Sequence, residues 1–333
     1  MVRKQRVEAQ FKLLLQEWRE EIHARLRHLV DEQEPSLLYE PIQYVLEGGG
    51  KRIRPVLLLL ACRAVSGSVK KAWEAAIAIE LLHNFTLVHD DIMDDDDTRR
   101  GRLTVHKKWA PDVAILAGDG LLALSYRILF RTHSDRFHDI ANIFNEGVIT
   151  VCEGQALDLA FESQETVSPD EYLEMIKKKT AGLLNISARI GAIIGGGSED
   201  EVAAMGKFAD NLGCAFQIQD DLLDITSDEQ TLGKTFGSDV QQKKQTYLVI
   251  HALSHADSAG RVRLAEILSD SNTGEIEIRE VRALFQKAGS LDAAKAAVSQ
   301  FLASAQSNLD TLRKTPERSA LFELVSYIST RNA

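Results

Sequence analysis

Hydrophobic positions recur at helical spacing along most of this chain. Val7, Phe11, Leu14, Leu15, Trp18, Ile22, Leu26 and Leu29 advance by three or four residues and build one apolar stripe, which predicts an amphipathic first helix. Pro55 suits the first turn of a helix reaching Ser66, where its missing N–H is harmless. Ser168-Pro169-Asp170-Glu171 reads as a capping box with proline at the first helical position. Ser198-Glu199-Asp200-Glu201 repeats the box and opens a helix running to about Asp224. Breaks fall at 48–50, 96–111, 195–198 and 227–239. Sustained alternation between hairpin turns is missing, so strands are expected to be few or absent. With no low-complexity linker, the pattern predicts a single all-α domain over residues 1–333, of roughly ten to twelve helices.

Composition narrows the class. The 49 acidic residues outnumber the 39 basic ones, giving a net charge of −10, which disfavours a nucleic-acid partner. Cys62, Cys152 and Cys214 are far apart and form no CxxC pair, so neither a disulfide framework nor a zinc ribbon is expected. A reducing cytoplasm fits them. Arg3, Lys4 and Arg6 lead into Glu8, Glu17, Glu20 and Glu21, which is no signal- or transit-peptide pattern. The longest apolar stretch, 182–197, contains Arg189, ends in glycines and is too short for a transmembrane segment.

The chemistry concentrates in two echoing motifs. Val88-His89-Asp90-Asp91-Ile92-Met93-Asp94 and Ile218-Gln219-Asp220-Asp221-Leu222-Leu223-Asp224 each close a predicted long helix. Residues four apart share a helix face, so Asp90 pairs with Asp94, and Asp220 with Asp224. Two such carboxylates repel, and acids at a helix C-terminus also oppose the macrodipole. A divalent cation relieves both conflicts. Oxygen-only ligation with open positions suits Mg²⁺, which keeps waters and bridges to substrate phosphates. Asp95, Asp96 and Asp97 read as a solvated helix end.

Cations complement the acids. Gly48-Gly49-Gly50-Lys51-Arg52-Ile53-Arg54 joins a glycine turn, three cations and a helix N-terminus, the ingredients of an anion site. It is no Walker A loop, because neither Ser nor Thr follows the lysine and no strand precedes it. Arg99 and Arg100 follow the first acidic motif, and arginine forks suit phosphate. Carboxylates for metal beside cations for phosphate point to a diphosphate substrate.

On these residues the sequence resembles the trans-isoprenyl diphosphate synthases, the polyprenyl synthetase family, and most nearly their geranylgeranyl-producing branch. The resemblance runs from Gly49-Gly50-Lys51-Arg52-Ile53-Arg54-Pro55 to the C-terminal tail. It takes in both aspartate motifs, Arg99-Arg100-Gly101, Glu153-Gly154-Gln155 with Asp158, Lys179-Thr180, Gly233-Lys234 and Lys244-Gln245-Thr246. Lys243 stands where the family commonly has glycine, and Tyr247 where leucine is usual.

The resemblance implies an isoprenoid-synthase fold, with helices around a deep central cavity, in a homodimer. It implies that Asp90, Asp94 and Asp220 ligate Mg²⁺, three ions per active site, with Asp91, Asp221 and Asp224 supporting. Arg99, Lys179, Lys234 and Lys244 (or Lys243) would hold the allylic diphosphate, and Lys51, Arg54, His83 and Arg100 isopentenyl diphosphate. The helical wheel independently puts His83 beneath Asp90. The implied chemistry is ionisation, condensation and elimination, with Thr180 and Gln217 flanking the allylic cation and the released diphosphate taking the proton.

Product length is expected to depend on residues below Asp90. Thr86 is small and faces the cavity on the wheel, whereas Phe85 falls off that face and enters as a cavity floor only through the resemblance. Together they indicate a C20 product, with C15 or a longer chain as alternatives. A class I terpene cyclase lacks the 51–54 cation site. A non-catalytic subunit of a two-component synthase, and a cation-binding helical scaffold, are the remaining readings.

Overall fold

The run Val56-Leu57-Leu58-Leu59-Leu60-Ala61 has no polar face, and none of it reaches solvent. A helix apolar all round belongs at the centre of a bundle. In the computed structural model, which describes residues 2–66, 68–164, 166–226, 237–270, 274–313 and 315–329, that run is the middle of helix α3.

The chain divides into two compact units. The first comprises Met1–Val148, Leu183–Gly206 and Leu309–Leu324. It begins with α1 (Val2–His28), α2 (Ser36–Glu47), α3 (Ile53–Ser66) and α4 (Trp73–Met93). A hairpin of β1 (Thr98–Arg99) and β2 (Arg102–Leu103) follows, then α5 (Val105–Lys108) and α6 (Pro111–Leu129). Ile22 and Leu26 from the predicted α1 stripe are fully buried. Small residues set the spacing around α3. A methyl group on Gly191 would lie 2.2 Å from the Leu58 carbonyl oxygen, so only glycine lets α9 (Gly182–Ile194) approach α3 this closely.

The second unit comprises Ile149–Gly182, Lys207–Asn308 and Val325–Ala333. It takes in the end of α7 (Phe137–Phe161), α8 (Pro169–Ile176), a π-helical turn at Lys177–Ala181, and most of α10 (Glu199–Thr226). Shorter helices follow at Ser238–Gln241, Tyr247–His255, Ser258–Ser269 and Glu275–Lys287, then a longer one at Ser290–Leu309. Tyr172, Ile218, Leu248, Val281 and Phe285 are among its core residues.

The fold is all-α. Both capping boxes form, with the Ser168 N–H donating to Glu171 Oε2 at 2.8 Å and the Ser198 N–H to Glu201 Oε2 at 2.9 Å. Strands are limited, among the described residues, to the two-residue pair at 98–103. Helices outnumber the expected ten to twelve because the stretch after Gly237 folds as short pieces, two of them capped by the Thr246 and Asp257 side chains. Each aspartate motif closes a long helix: α4 has 21 residues and α10 has 28. No helix of the described residues is long and apolar enough to cross a membrane.

Candidate active site

In the first unit the glycine turn after α2 is pinned from beneath. Gly49 and Gly50 take φ of +73° and +124°, and Arg52 takes +50°. The backbone at Gly50 favours glycine, and a side chain there would displace the Arg100 guanidinium. Arg52 points inward, donating to Glu80 on α4 and, at 2.8 Å, to the Leu46 carbonyl. Arg19 of α1 donates to the Lys51 carbonyl at 2.9 Å. Lys51 itself is exposed.

Arg54 Nη1 lies 3.1 Å from His83 Nε2. Burial, with Arg54, Arg100, Arg52 and Arg99 nearby, holds His83 well below its ordinary pKa, so the ring is neutral. Guanidinium only donates, so Nε2 accepts and the proton sits on Nδ1. Nδ1 is buried with no hydrogen-bond partner among the described residues. The site therefore presents a buried N–H donor beside arginines, awaiting an acceptor.

The hairpin brings Arg99 and Arg100 to the same region. Arg100 and Gly101 both have positive φ, the pattern of a tight hairpin turn. Arg99 pairs with Asp91 and, at 3.2 Å, with Asp96, while Arg100 donates to the Gly49 carbonyl. Arg102 donates to the Tyr44 carbonyl at 3.1 Å, and the Tyr44 hydroxyl donates to the Leu103 carbonyl at 2.9 Å. Asp91 is buried and its carboxyl is pushed up to about 6, burial outweighing Arg99. Asp90 sits on the last turn of α4 and Asp94 caps its C-terminus, the Asp94 N–H donating to the Asp90 carbonyl at 2.8 Å.

Lower on α4, the Thr86 hydroxyl donates to the His83 carbonyl at 2.9 Å. Phe85 is half-buried and packs edge-on against His89, centroids 4.8 Å apart. His89 in turn rests on Gly118 of α6.

In the second unit the π-helical turn carries Lys178, Lys179 and Thr180. Single π turns inside α-helices are frequent at functional sites. Gly154 of α7 makes room for this one, since a methyl group there would lie 2.3 Å from the Lys179 nitrogen. Lys179 pairs with Asp158, and Lys178 with Glu153 at 2.7 Å. Thr180 Oγ1 donates to Gln217 Oε1 at 2.7 Å.

Protein donors hold Asp221 and Asp224 of the second aspartate motif. Asp221 accepts from Gln217 Nε2 at 2.9 Å, the Tyr172 hydroxyl at 2.6 Å and the Tyr247 N–H at 3.1 Å. Burial pushes its carboxyl up against the pull of these donors. Asp224 accepts from Ser238 Oγ at 2.8 Å and the Asp239 N–H at 3.2 Å. Asp220 lies one residue before Asp221 on α10. Lys243 Nζ donates to the Ser269 carbonyl at 3.1 Å, while Lys244 lies in the turn before Thr246. Lys234 lies outside the described residues.

Carboxylates are hard oxygen donors with the right charge for Mg²⁺. Among the described residues no three acidic, histidine or cysteine side chains already form a metal cage. Oxygen-only carboxylate donors suit an ion such as Mg²⁺ that also takes water and phosphate oxygens. Arg19, Tyr44, Glu80 and Tyr172 are contributors that sequence reasoning missed. Glu80 alone carried a signal, as the one charge in Ala75-Ala76-Ile77-Ala78-Ile79-Glu80-Leu81-Leu82, where burial demands a partner.

Comparison with known proteins agrees with the motifs. The polyprenyl synthetase family model matches residues 35–285. A short chain isoprenyl diphosphate synthase of Methanothermobacter thermautotrophicus is 38% identical over 96% of this chain and 98% of its own. A geranylgeranyl diphosphate synthase of Methanosarcina mazei is 37% identical, covering 93% and 94% respectively. The crystal structure of geranylgeranyl pyrophosphate synthetase from Pyrococcus horikoshii superposes with a TM-score of 0.91 at 37% identity, over 99% of this chain and 100% of that one.

Proposed function

The chain belongs to the polyprenyl synthetase family and is a prenyltransferase, and on that premise we propose that it joins isopentenyl diphosphate to allylic diphosphates, ending at C20 geranylgeranyl diphosphate. Residues 1–333 act as one catalytic domain. The observation that carries the reading is the His83 Nδ1–H beside Arg54, buried and without a hydrogen-bond partner among the described residues. Such a donor is costly unless an acceptor arrives, and a diphosphate oxygen is that acceptor.

Asp90, Asp94 and Asp220 would ligate Mg²⁺, three ions per site, with Asp91, Asp221 and Asp224 in support, and the metal would supply positive charge to the allylic diphosphate leaving group. Arg99, Lys179, Lys234 and Lys244 hold that diphosphate, and Lys243, committed to the Ser269 carbonyl, does not. Lys51, Arg54, His83 and Arg100 hold isopentenyl diphosphate. The allylic C1–O bond breaks with its electron pair going to diphosphate. The isopentenyl double bond then supplies the electrons of the new C–C bond, leaving a tertiary cation. Loss of a C2 proton to a diphosphate oxygen restores the alkene. Thr180 and Gln217 turn oxygen dipoles toward the allylic cation, from which water must be kept away.

Phe85 and Thr86 set the floor and width available to the growing chain. A second copy covers exposed Ile115, Leu116 and Phe130 to give a homodimer. Cys62, Cys152 and Cys214 form no disulfide among the described residues, which suits the cytoplasm. His83→Ala tests the carrying observation. KM for isopentenyl diphosphate should rise about 10- to 100-fold, the worth of a charge-assisted hydrogen bond, with the allylic KM little changed. Equal rises in both would contradict the assignment.

A further inference from the structure

Asp221 of the second motif accepts three hydrogen bonds from protein groups. Gln217 donates to Oδ1, while the Tyr172 hydroxyl and the Tyr247 N–H both donate to Oδ2. Tyr172 and Asp221 are 2% and 4% exposed, so water does not compete for these contacts.

The chain of contacts has a fixed polarity. Gln217 presents its NH₂ end to Asp221, donating from Nε2 to Oδ1 at 2.9 Å. Its carbonyl oxygen therefore faces the other way, where it takes the single Thr180 hydroxyl hydrogen at 2.7 Å. With that hydrogen spent, the Thr180 oxygen turns its lone pairs outward. Without Asp221 nothing prevents the amide from rotating by half a turn. Its NH₂ group would then meet Thr180, whose hydroxyl hydrogen would be released to point elsewhere.

We propose that Asp221 and Tyr172 are positioning residues that orient the Gln217 amide and the Thr180 hydroxyl, so that both present oxygen to the allylic cation, and that Asp221 supports the reaction in this way rather than as a metal ligand. The inference rests on the prenyl-transfer reading above. Tyr172 fixes Asp221, Asp221 fixes the amide, and the amide fixes the hydroxyl. Tyr247 anchors the carboxylate through its main chain, so its side chain is not needed for the relay.

The test compares Tyr172→Phe, Asp221→Asn, Thr180→Val and the double variant Tyr172→Phe/Thr180→Val as full-length enzymes. Farnesyl and isopentenyl diphosphates are supplied with varied Mg²⁺. The readouts are kcat, both KM values, the half-saturating Mg²⁺ concentration, and the fraction of allylic alcohol formed when water captures the cation. Tyr172→Phe and Asp221→Asn should each lower kcat about 10-fold, below the 10²–10³ of a direct transition-state contact. The alcohol fraction should rise, while both KM values and the Mg²⁺ requirement stay within about twofold. In the Thr180→Val background, Tyr172→Phe should lose most of its effect, because both act through one hydroxyl.

Tyr172→Phe removes only an oxygen and keeps the ring, so it carries the test even if Asp221→Asn folds poorly. Two results would overturn the proposal. One is a large rise in Mg²⁺ requirement for Asp221→Asn with Tyr172→Phe near wild type, which would make Asp221 a ligand. The other is additive losses in the double variant, which would make Tyr172 merely structural. A wild-type chain that is folded yet forms no condensation product would instead overturn the prenyl-transfer reading, and this inference with it.

Discussion

Arg52 and Glu80 form an ion pair in which each side chain is only 2% exposed. Arg52 belongs to the glycine turn and Glu80 to the middle of α4, three residues before His83. Lys51 and Arg54, the flanking cations, therefore take their places from a contact neither of them makes. Arg52 also carries the strain of a positive φ, which a free turn would not retain.

Breaking this pair from the Glu80 side leaves a buried, uncompensated guanidinium. Glu80→Ala should destabilise the chain by about 3–5 kcal/mol. Glu80→Gln, which can still accept from Arg52, should lose less and stay folded. In that variant KM for isopentenyl diphosphate should rise more than the allylic KM. Thermal unfolding and steady-state kinetics check both parts, and a wild-type melting temperature for Glu80→Ala would contradict the account.

The π-helical turn depends on Gly154. Gly154→Ala forces a methyl group against the Lys179 backbone, which must move. The expected cost is about 1–3 kcal/mol in stability, typical of overpacking. Activity should fall further than stability alone explains, since Lys179 and Thr180 ride on the displaced turn. Kinetics at a temperature where the variant is fully folded separate the two effects.

Phe85→Ala should shift products toward longer chains. Its ring packs edge-on against His89, which rests on Gly118 of α6, and the shift tests whether that position bounds the chain. An unchanged product distribution would remove Phe85 as the floor.

Asp91 gives a pH signature. Its pKa rises from 3.8 to about 6 on folding without metal, so between those values the folded chain keeps a proton that the unfolded chain has lost. The stability this group contributes is therefore greatest below the window and declines as pH rises through it. Metal-free melting temperatures measured from pH 4 to 7 should carry this downward component, and Asp91→Asn should remove it. An identical pH profile for the variant would rule it out.

Much of this architecture was legible in the residues. Period-3.6 apolar stripes, the Ser168 and Ser198 boxes and the paired DDxxD motifs are local signals, and local signals survive into the fold. The hairpin at 98–103 was not legible, because two residues per strand are too few to show alternation. Nor was the π turn, which arises from Gly154, more than twenty residues away in sequence, approaching Lys179. Neighbours in space rather than in sequence also explain the missed roles of Tyr44 and Tyr172. Each acts through a hydrogen bond to a distant residue: Tyr44 to Leu103, and Tyr172 to Asp221.

The most direct measurement is product length from the purified chain with Mg²⁺ and isopentenyl diphosphate. Dimethylallyl, geranyl and farnesyl diphosphates would be supplied separately, and the dephosphorylated products sized. The account predicts a C20 product from each primer, lost on chelation and restored by added Mg²⁺. Condensation that persists in chelator, or no condensation from any primer by the folded chain, would contradict it.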